Sequence, residues 1–262
     1  MEYKVASDAR PQVRNLIIAA IISIALWIIP FGDVLTYPFR LFVTFIHEGG
    51  HALAAVLTFN SVQSLSVAPN ASGMVMSTQG GLISQIIISS AGYVGAMVFG
   101  TLLLLLIRKR VKANVVLYGS AALIALLTLY FGLIKPIISG TWADMTSIPF
   151  TFIAGVIITA GLVAVGKFAS DEVAKFFISF LAVQCVLNAL LDLKNVFFMS
   201  SPFAAPMHTD AVNMANATGI PGIIWTLIWI GVSFFLLTMA IRIYAVNKYS
   251  KGSKQQDLPF ED

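Results

Sequence analysis

The chain has 262 residues, of which 58% are hydrophobic and only 11% charged, with a formal net charge of +4 and a mean hydropathy of +0.88. A soluble domain carries about a quarter charged residues, so a large soluble domain is excluded and a lipid bilayer is the expected environment. The basic residues fall in short connections and near the C-terminus, which is no nucleic-acid footprint, and the single cysteine, Cys185, excludes an intrachain disulfide and reads as a small core residue.

Lys4, Arg10 and Arg14 precede an apolar run from Leu16 to Phe31, with no small-residue cleavage site after it. The run predicts a retained transmembrane helix rather than a cleaved signal peptide. A span needs about 20 mostly apolar residues. Seven stretches qualify: 15–31, 39–59, 82–107, 115–134, 147–167, 174–199 and 221–245. The predicted fold is therefore an all-α polytopic membrane protein of about seven transmembrane helices. It forms one integral membrane domain over residues 1–246, with a polar, disordered tail over 247–262.

The second stretch contains His47-Glu-Gly-Gly-His51. Three ionisable side chains in a lipid-compatible segment are costly unless they are paired, ligated or facing water. On a helix, His47 and His51 share a face and can reach one metal ion, and Glu48 lies beside them to take a proton from a zinc-bound water. The next connection, 60–81, alternates polar and apolar residues around Pro69-Asn-Ala-Ser-Gly73 and predicts a small β-hairpin. Its edge offers a place for an extended substrate, with an ordinary exposed hairpin as the alternative. Further on, Gly92, Ala96 and Gly100 recur every four residues, a stripe that permits close helix approach, with the His-bearing helix as one candidate neighbour.

Basic residues in connection 108–113 and at the C-terminal end place both in the cytoplasm, and connections 60–81 and 200–220, which lack Lys and Arg, on the other side. With seven spans this puts the N-terminus outside, against its own three basic residues. The conflict disappears if one of the first two segments does not cross fully.

A catalytic zinc usually takes three protein ligands and a water. The third histidine, His208, is in the 200–220 loop, and Asp192 is the other acidic residue inside the seven segments and away from their ends. Segments 39–59 and 174–199 run in the same direction, and His51 and Asp192 lie eight and seven residues before their respective ends. At 1.5 Å per residue both sit about 10–12 Å below one face. Asp192 is thus the first candidate for third ligand. Asp210 is the alternative; like His208 it follows that helix and requires the chain to fold back onto it. A short helix is predicted to start near Thr209 or Asp210. Asn188, one turn before Asp192, is a candidate for binding substrate or an oxyanion, or else for an interhelical hydrogen bond.

The stretch His47-Glu-Gly-Gly-His-Ala-Leu-Ala-Ala55 resembles the His-Glu-x-x-His-x-x-x-Ala helix of the site-2 proteases, intramembrane zinc metalloproteases, and is most similar to their short B-type-like members in bacteria and plants. Gly73, Gly80-Gly81, Ala91-Gly-Tyr-Val-Gly-Ala96, Asp192, Thr209-Asp210-Ala211, Gly219-Ile-Pro221 and Trp225 extend the likeness over about residues 40 to 230. The resemblance implies His47 and His51 as Zn2+ ligands, Glu48 as catalytic base and Asp192 as third ligand. It further implies membrane-protein substrates cleaved within the bilayer, and a place in a bacterial cell membrane. One departure stands out. The better-known members carry Asn-Pro-x-Pro-x-x-Leu-Asp-Gly at the third ligand, whereas here Leu191-Asp192-Leu193 has neither the prolines nor the glycine. The competing class is a transporter or metal-handling protein that uses the His/Glu/Asp cluster as an ion site. Segments 82–107, 115–134 and 147–167 carry no ionisable group away from their ends to mark an ion path.

Overall fold

The computed structural model describes residues 10–78, 80–141, 147–200 and 209–245. Helices α1 (Arg10–Ile28) and α2 (Gly32–Leu57) lead into strands β1 (Val62–Val67) and β2 (Gly73–Ser77). Then come α3 (Leu82–Arg108), α4 (Ala113–Leu126), a π-helical stretch (Leu127–Ile134), α5 (Lys135–Ser139) and α6 (Ser147–Phe168). The chain continues through α7 (Asp171–Met199) and the short α8 (Asp210–Thr218) to α9 (Gly222–Ala245). The polar tail expected over 247–262 and His208 lie outside the described residues.

Among the described residues five helical segments, not the expected seven, are long and apolar enough to cross a membrane: Leu82–Arg108, Ala113–Ser139, Ser147–Phe168, Asp171–Met199 and Gly222–Arg242. The two missing ones are the first two. The apolar part of α1, Val13–Ile28, is short. Helix α2 has the length, but Asp33, Arg40, His47, Glu48 and His51 dilute its hydropathy. It is instead one-sided. Leu41, Phe42, Phe45, Ile46, Glu48, His51, Ala52 and Ala55 are buried at helical spacing, and the protein rather than lipid solvates that face. The chain is an integral membrane protein whose chemistry-bearing helix is held among the spanning helices.

Glycines set the distances around α2. A Cβ on Gly50 would stand 2.3 Å from the Ala91 carbonyl oxygen of α3, and one on Gly49 would stand 2.7 Å from Leu127 Cδ1 of the π-helical stretch. Without side chains at these two positions, α3 and the π-helical stretch close on α2 from two sides. Lipid tails offer no hydrophobic drive between helices, so such close van der Waals approach is what holds them together. Gly100 plays the same part between α3 and α7, where a Cβ would meet Ala182 and Cys185 at 3.0 Å. Cys185 is fully buried there, the core residue expected of it.

The predicted hairpin is present. Strands β1 and β2 pair antiparallel, with Val67 opposite Gly73, Ser66 opposite Met74 and Leu65 opposite Val75. β1 is mostly buried, with Leu65 and Val67 fully so, whereas β2 is largely exposed. The turn between them is internally bonded. Ala68 N–H donates to Ser72 O at 2.8 Å, Ala71 N–H to Ala68 O at 2.9 Å, and Ser72 N–H to Asn70 Oδ1 at 3.0 Å.

Two caps fix the C-terminal half. Ser170 accepts from the Val173 N–H at the start of α7, where Asp171 and Glu172 complement the helix dipole. Thr209 accepts from the Val212 N–H at the start of α8, which ends on Gly219 in the left-handed conformation. Ala211 and Met214 of α8 are buried in a small core with Tyr93, Leu193, Val196 and Trp229, so α8 is folded back against α3, α7 and α9.

Candidate metal centre

The four-residue spacing on α2 brings the two imidazoles together, with His47 Nε2 and His51 Nε2 3.0 Å apart. Asp210 Oδ2, from the first turn of α8, is 3.4 Å from each. His51 Nδ1 lies 2.6 Å from the Ile88 carbonyl oxygen of α3. That carbonyl can only accept, so Nδ1 carries the proton and the Nε2 lone pair faces the centre.

Converging lone pairs and a carboxylate require positive charge among them, from a metal ion or from imidazole protons. The spacing fits a metal. Ligand atoms about 2.0–2.2 Å from a tetrahedral zinc stand about 3.3 Å from one another. The three donors lie within 4.8 Å of each other and form the one such group among the described residues. Burial works against charge on Asp210, but where imidazole protons supply the positive charge, protonated His51 and hydrogen bonds from both histidines outweigh it and hold the carboxyl well below the usual carboxylate range. An ionised carboxylate is the form a metal binds.

The surrounding residues form a cradle. A Cβ on Gly92 of α3 would stand 2.2 Å from His47 Nε2 and 2.4 Å from His51 Nε2, so only glycine leaves room for the imidazoles. The next residue, Tyr93, sets its ring edge-on to His47 at 4.6 Å and lies against Trp229, whose indole N–H donates to Ser90 Oγ at 3.0 Å. Glu48 is buried at 5% exposure and lines the same cavity of about 480 Å³. A Cβ on Gly73 would meet the Glu48 Oε1 at 2.5 Å, so the first residue of β2 rests on that carboxylate.

His47, Glu48 and His51 are brought together as the sequence predicts. The third donor in reach is Asp210, and the first candidate, Asp192, is displaced from that place. Asp192 lines the cavity from α7 with Val196, but its carboxylate is not among the three that converge. Asp192 reaches the cavity wall, but the chain returns through α8 and brings Asp210 Oδ2 within 3.4 Å of both imidazoles. Asn188 bonds within its own helix, and it is its partner Gln184 that makes the interhelical bond. The Asn188 amide donates to Gln184 O and Oε1, both at 2.9 Å, while Gln184 Nε2 donates to Ser23 Oγ at 3.1 Å, joining α7 to α1. Asn188 is not among the residues lining the cavity. Tyr93, Thr44 and Asn213 line it without having been singled out for function. Tyr93 carried one legible signal, its place directly after Gly92 in the small-residue stripe.

A protein-family model described as Peptidase M50B-like matches residues 16–240 of the chain. No curated protein and no solved structure matches it.

Proposed function

Because the chain belongs to the Peptidase M50B-like family, among the site-2 proteases, we propose that it is an intramembrane zinc endopeptidase that hydrolyses peptide bonds in membrane-spanning substrates. The observation that carries this reading is the convergence of His47, His51 and Asp210 beside the buried Glu48 in one cavity. His47, His51 and Asp210 would hold the zinc, which when bound supplies a Lewis acid to the scissile carbonyl and the attacking water.

The remaining work falls to the chain itself. Glu48 takes the proton of the attacking water and returns it to the leaving amine. Its burial keeps bulk water from competing for that proton, and the Gly73 backbone closes one side of it. His51, oriented by the Ile88 carbonyl, keeps its Nε2 lone pair toward the centre. Gly73, Met74 and Val75 of the outer strand also line the cavity, so an extended substrate backbone has a strand to lie along. A membrane helix must unwind locally to present such a backbone.

The test is to purify wild type, Glu48→Gln, Asp210→Ala and Asp192→Ala and to measure bound zinc and cleavage of a panel of single-span substrates. Glu48→Gln should keep zinc and lose cleavage. Asp210→Ala should lose zinc, and Asp192→Ala should keep it. A wild-type protein that binds zinc but cleaves nothing in the panel, or a Glu48→Gln variant as active as wild type, overturns the proposal.

A further inference from the structure

Three hydroxyl groups hold the hairpin turn from outside. On α2, Tyr37 OH donates to Pro69 O at 2.6 Å and Thr44 Oγ1 donates to Ala71 O at 2.8 Å. On α6, Thr151 Oγ1 accepts from the Val67 N–H at 2.8 Å while donating to Ser147 O at 2.6 Å. Thr151 and Val67 are both fully buried.

These bonds do more than complete helices. Thr44 has one hydroxyl proton and two carbonyls in reach, Arg40 O of its own helix at 3.0 Å and Ala71 O at 2.8 Å, and the shorter approach is to the turn. Ala71 stands at φ 64, a left-handed conformation unfavourable for any residue but glycine. Such a residue persists only where its surroundings hold it. The carbonyl of this strained residue is the one that Thr44 grips. Two residues later comes Gly73, which pairs with Val67 and rests on the Glu48 carboxylate.

The placement on α2 is systematic. Tyr37, Thr44, Glu48 and His51 follow one another at intervals of seven, four and three residues, along one face of the helix. The helix that carries the base and two metal donors thus also carries two of the three anchors, and α6 supplies the third across the hairpin. On the protease reading given above, we propose that Tyr37, Thr44 and Thr151 are positioning residues. Their hydroxyls hold the 67–71 turn so that the Gly73 backbone closes on Glu48 and fixes the base for proton transfer.

The experiment uses the full chain with a cleaved substrate from the panel, comparing Tyr37→Phe, Thr44→Val and Thr151→Val with the conservative Thr44→Ser and Thr151→Ser. Thr128→Val is the control, since Thr128 is equally buried and bonds only to Ile124 O of its own helix. Misplacing a catalytic group by about 1 Å costs up to about 100-fold in rate. The three hydroxyl deletions should therefore lower kcat about 10- to 100-fold, a larger effect than any rise in KM, with bound zinc unchanged. Amide exchange over 68–75 should quicken, and the serine variants should restore both readouts. Thr128→Val should keep wild-type kcat. Tyr37→Phe removes an exposed bond and leaves the core intact, so it decides the matter if Thr151→Val does not fold. Full kcat in Tyr37→Phe and Thr44→Val overturns the proposal. So does a raised KM at unchanged kcat, or an equal loss in Thr128→Val. If wild type cleaves nothing, the protease reading fails separately; unchanged amide exchange in the variants would then show that the hydroxyls do not hold the turn.

Discussion

Substitution of Gly92 by alanine tests whether the imidazoles and α3 are at their limit of approach. The new methyl would stand 2.2 Å from His47 Nε2, 2.4 Å from His51 Nε2 and 2.5 Å from His47 Cε1, where ordinary contact begins at 3.4 Å. About 1 Å must therefore be found. The helices cannot supply it by sliding closer elsewhere, because Gly50 already lies against the Ala91 carbonyl. Nor can His51 swing aside without losing its bond to Ile88 O. Either α2 and α3 part, at a cost of about 1–3 kcal/mol for overpacking, or the rings leave their positions. Zinc sites tolerate ligand displacements of about 0.2 Å, so displacement of both rings should weaken zinc binding by about 100-fold, the upper end for mutations that disturb ligand orientation. The assay is zinc content after dialysis against graded chelator concentrations, with thermal unfolding measured in parallel. Gly119→Ala is the companion variant, because nothing lies within 4 Å of a Cβ there. It should bind zinc as wild type does and gain up to about 1 kcal/mol from the loss of a helix-interior glycine. A Gly92→Ala protein with wild-type zinc affinity would refute the claim that this glycine makes room for the metal ligands.

Other substitutions separate the metal from the base and the frame. Gly73→Ala drives a methyl into the Glu48 carboxylate, so cleavage should fall by at least about tenfold while bound zinc stays stoichiometric; loss of zinc instead would mean that the hairpin supports the ligands. Asn188→Ala removes the bonds to Gln184 and should cost about 1 kcal/mol of stability with KM unchanged, and a raised KM would return Asn188 to substrate binding. Chelation should lower both activity and thermal stability, each restored by zinc, if His47, His51 and Asp210 tie α2 to α8 through an ion as proposed. Unfolding that is indifferent to chelator would contradict that tie.

Much of this was legible in the sequence because it is local. The His-Glu-Gly-Gly-His spacing fixes three side chains relative to one another on any α-helix. Alternation around Pro69–Gly73 fixes a hairpin in the same way. The Gly92–Gly100 stripe announces close packing, and the structure divides it by partner: Gly92 meets the imidazoles and Gly100 meets α7. The span count went astray where hydropathy and burial part company. Segments that look long enough at the N-terminus are shortened in α1 and diluted with charge in α2, whose buried face is solvated by protein.

The third donor in reach of the imidazoles, Asp210, lies where counting along a helix does not lead. Counting residues from helix ends gives a height along the helix, and Asp192 does line the cavity. Height says nothing of how a side chain is rotated about its helix axis, or of what covers the cavity from above. Asp210 needs neither the depth nor the rotation of a spanning helix. It sits in the first turn of a nine-residue helix whose Ala211 and Met214 insert between α3, α7 and α9, so the docking of that helix aims the carboxylate at the imidazoles. Local cues for this existed: Thr209 is a good N-cap, and the apolar residues at 211 and 214 share a face. They specify a helix and its buried side, but not which groove receives it. That choice is made by the small core around Tyr93 and Trp229, from residues more than a hundred positions apart in the chain. Filling that groove with bulk, as in Ala211→Leu, should therefore remove zinc as effectively as removing Asp210 itself, with His47 and His51 untouched. Retention of zinc by Ala211→Leu would mean that the metal, rather than the packing of α8, puts Asp210 in place.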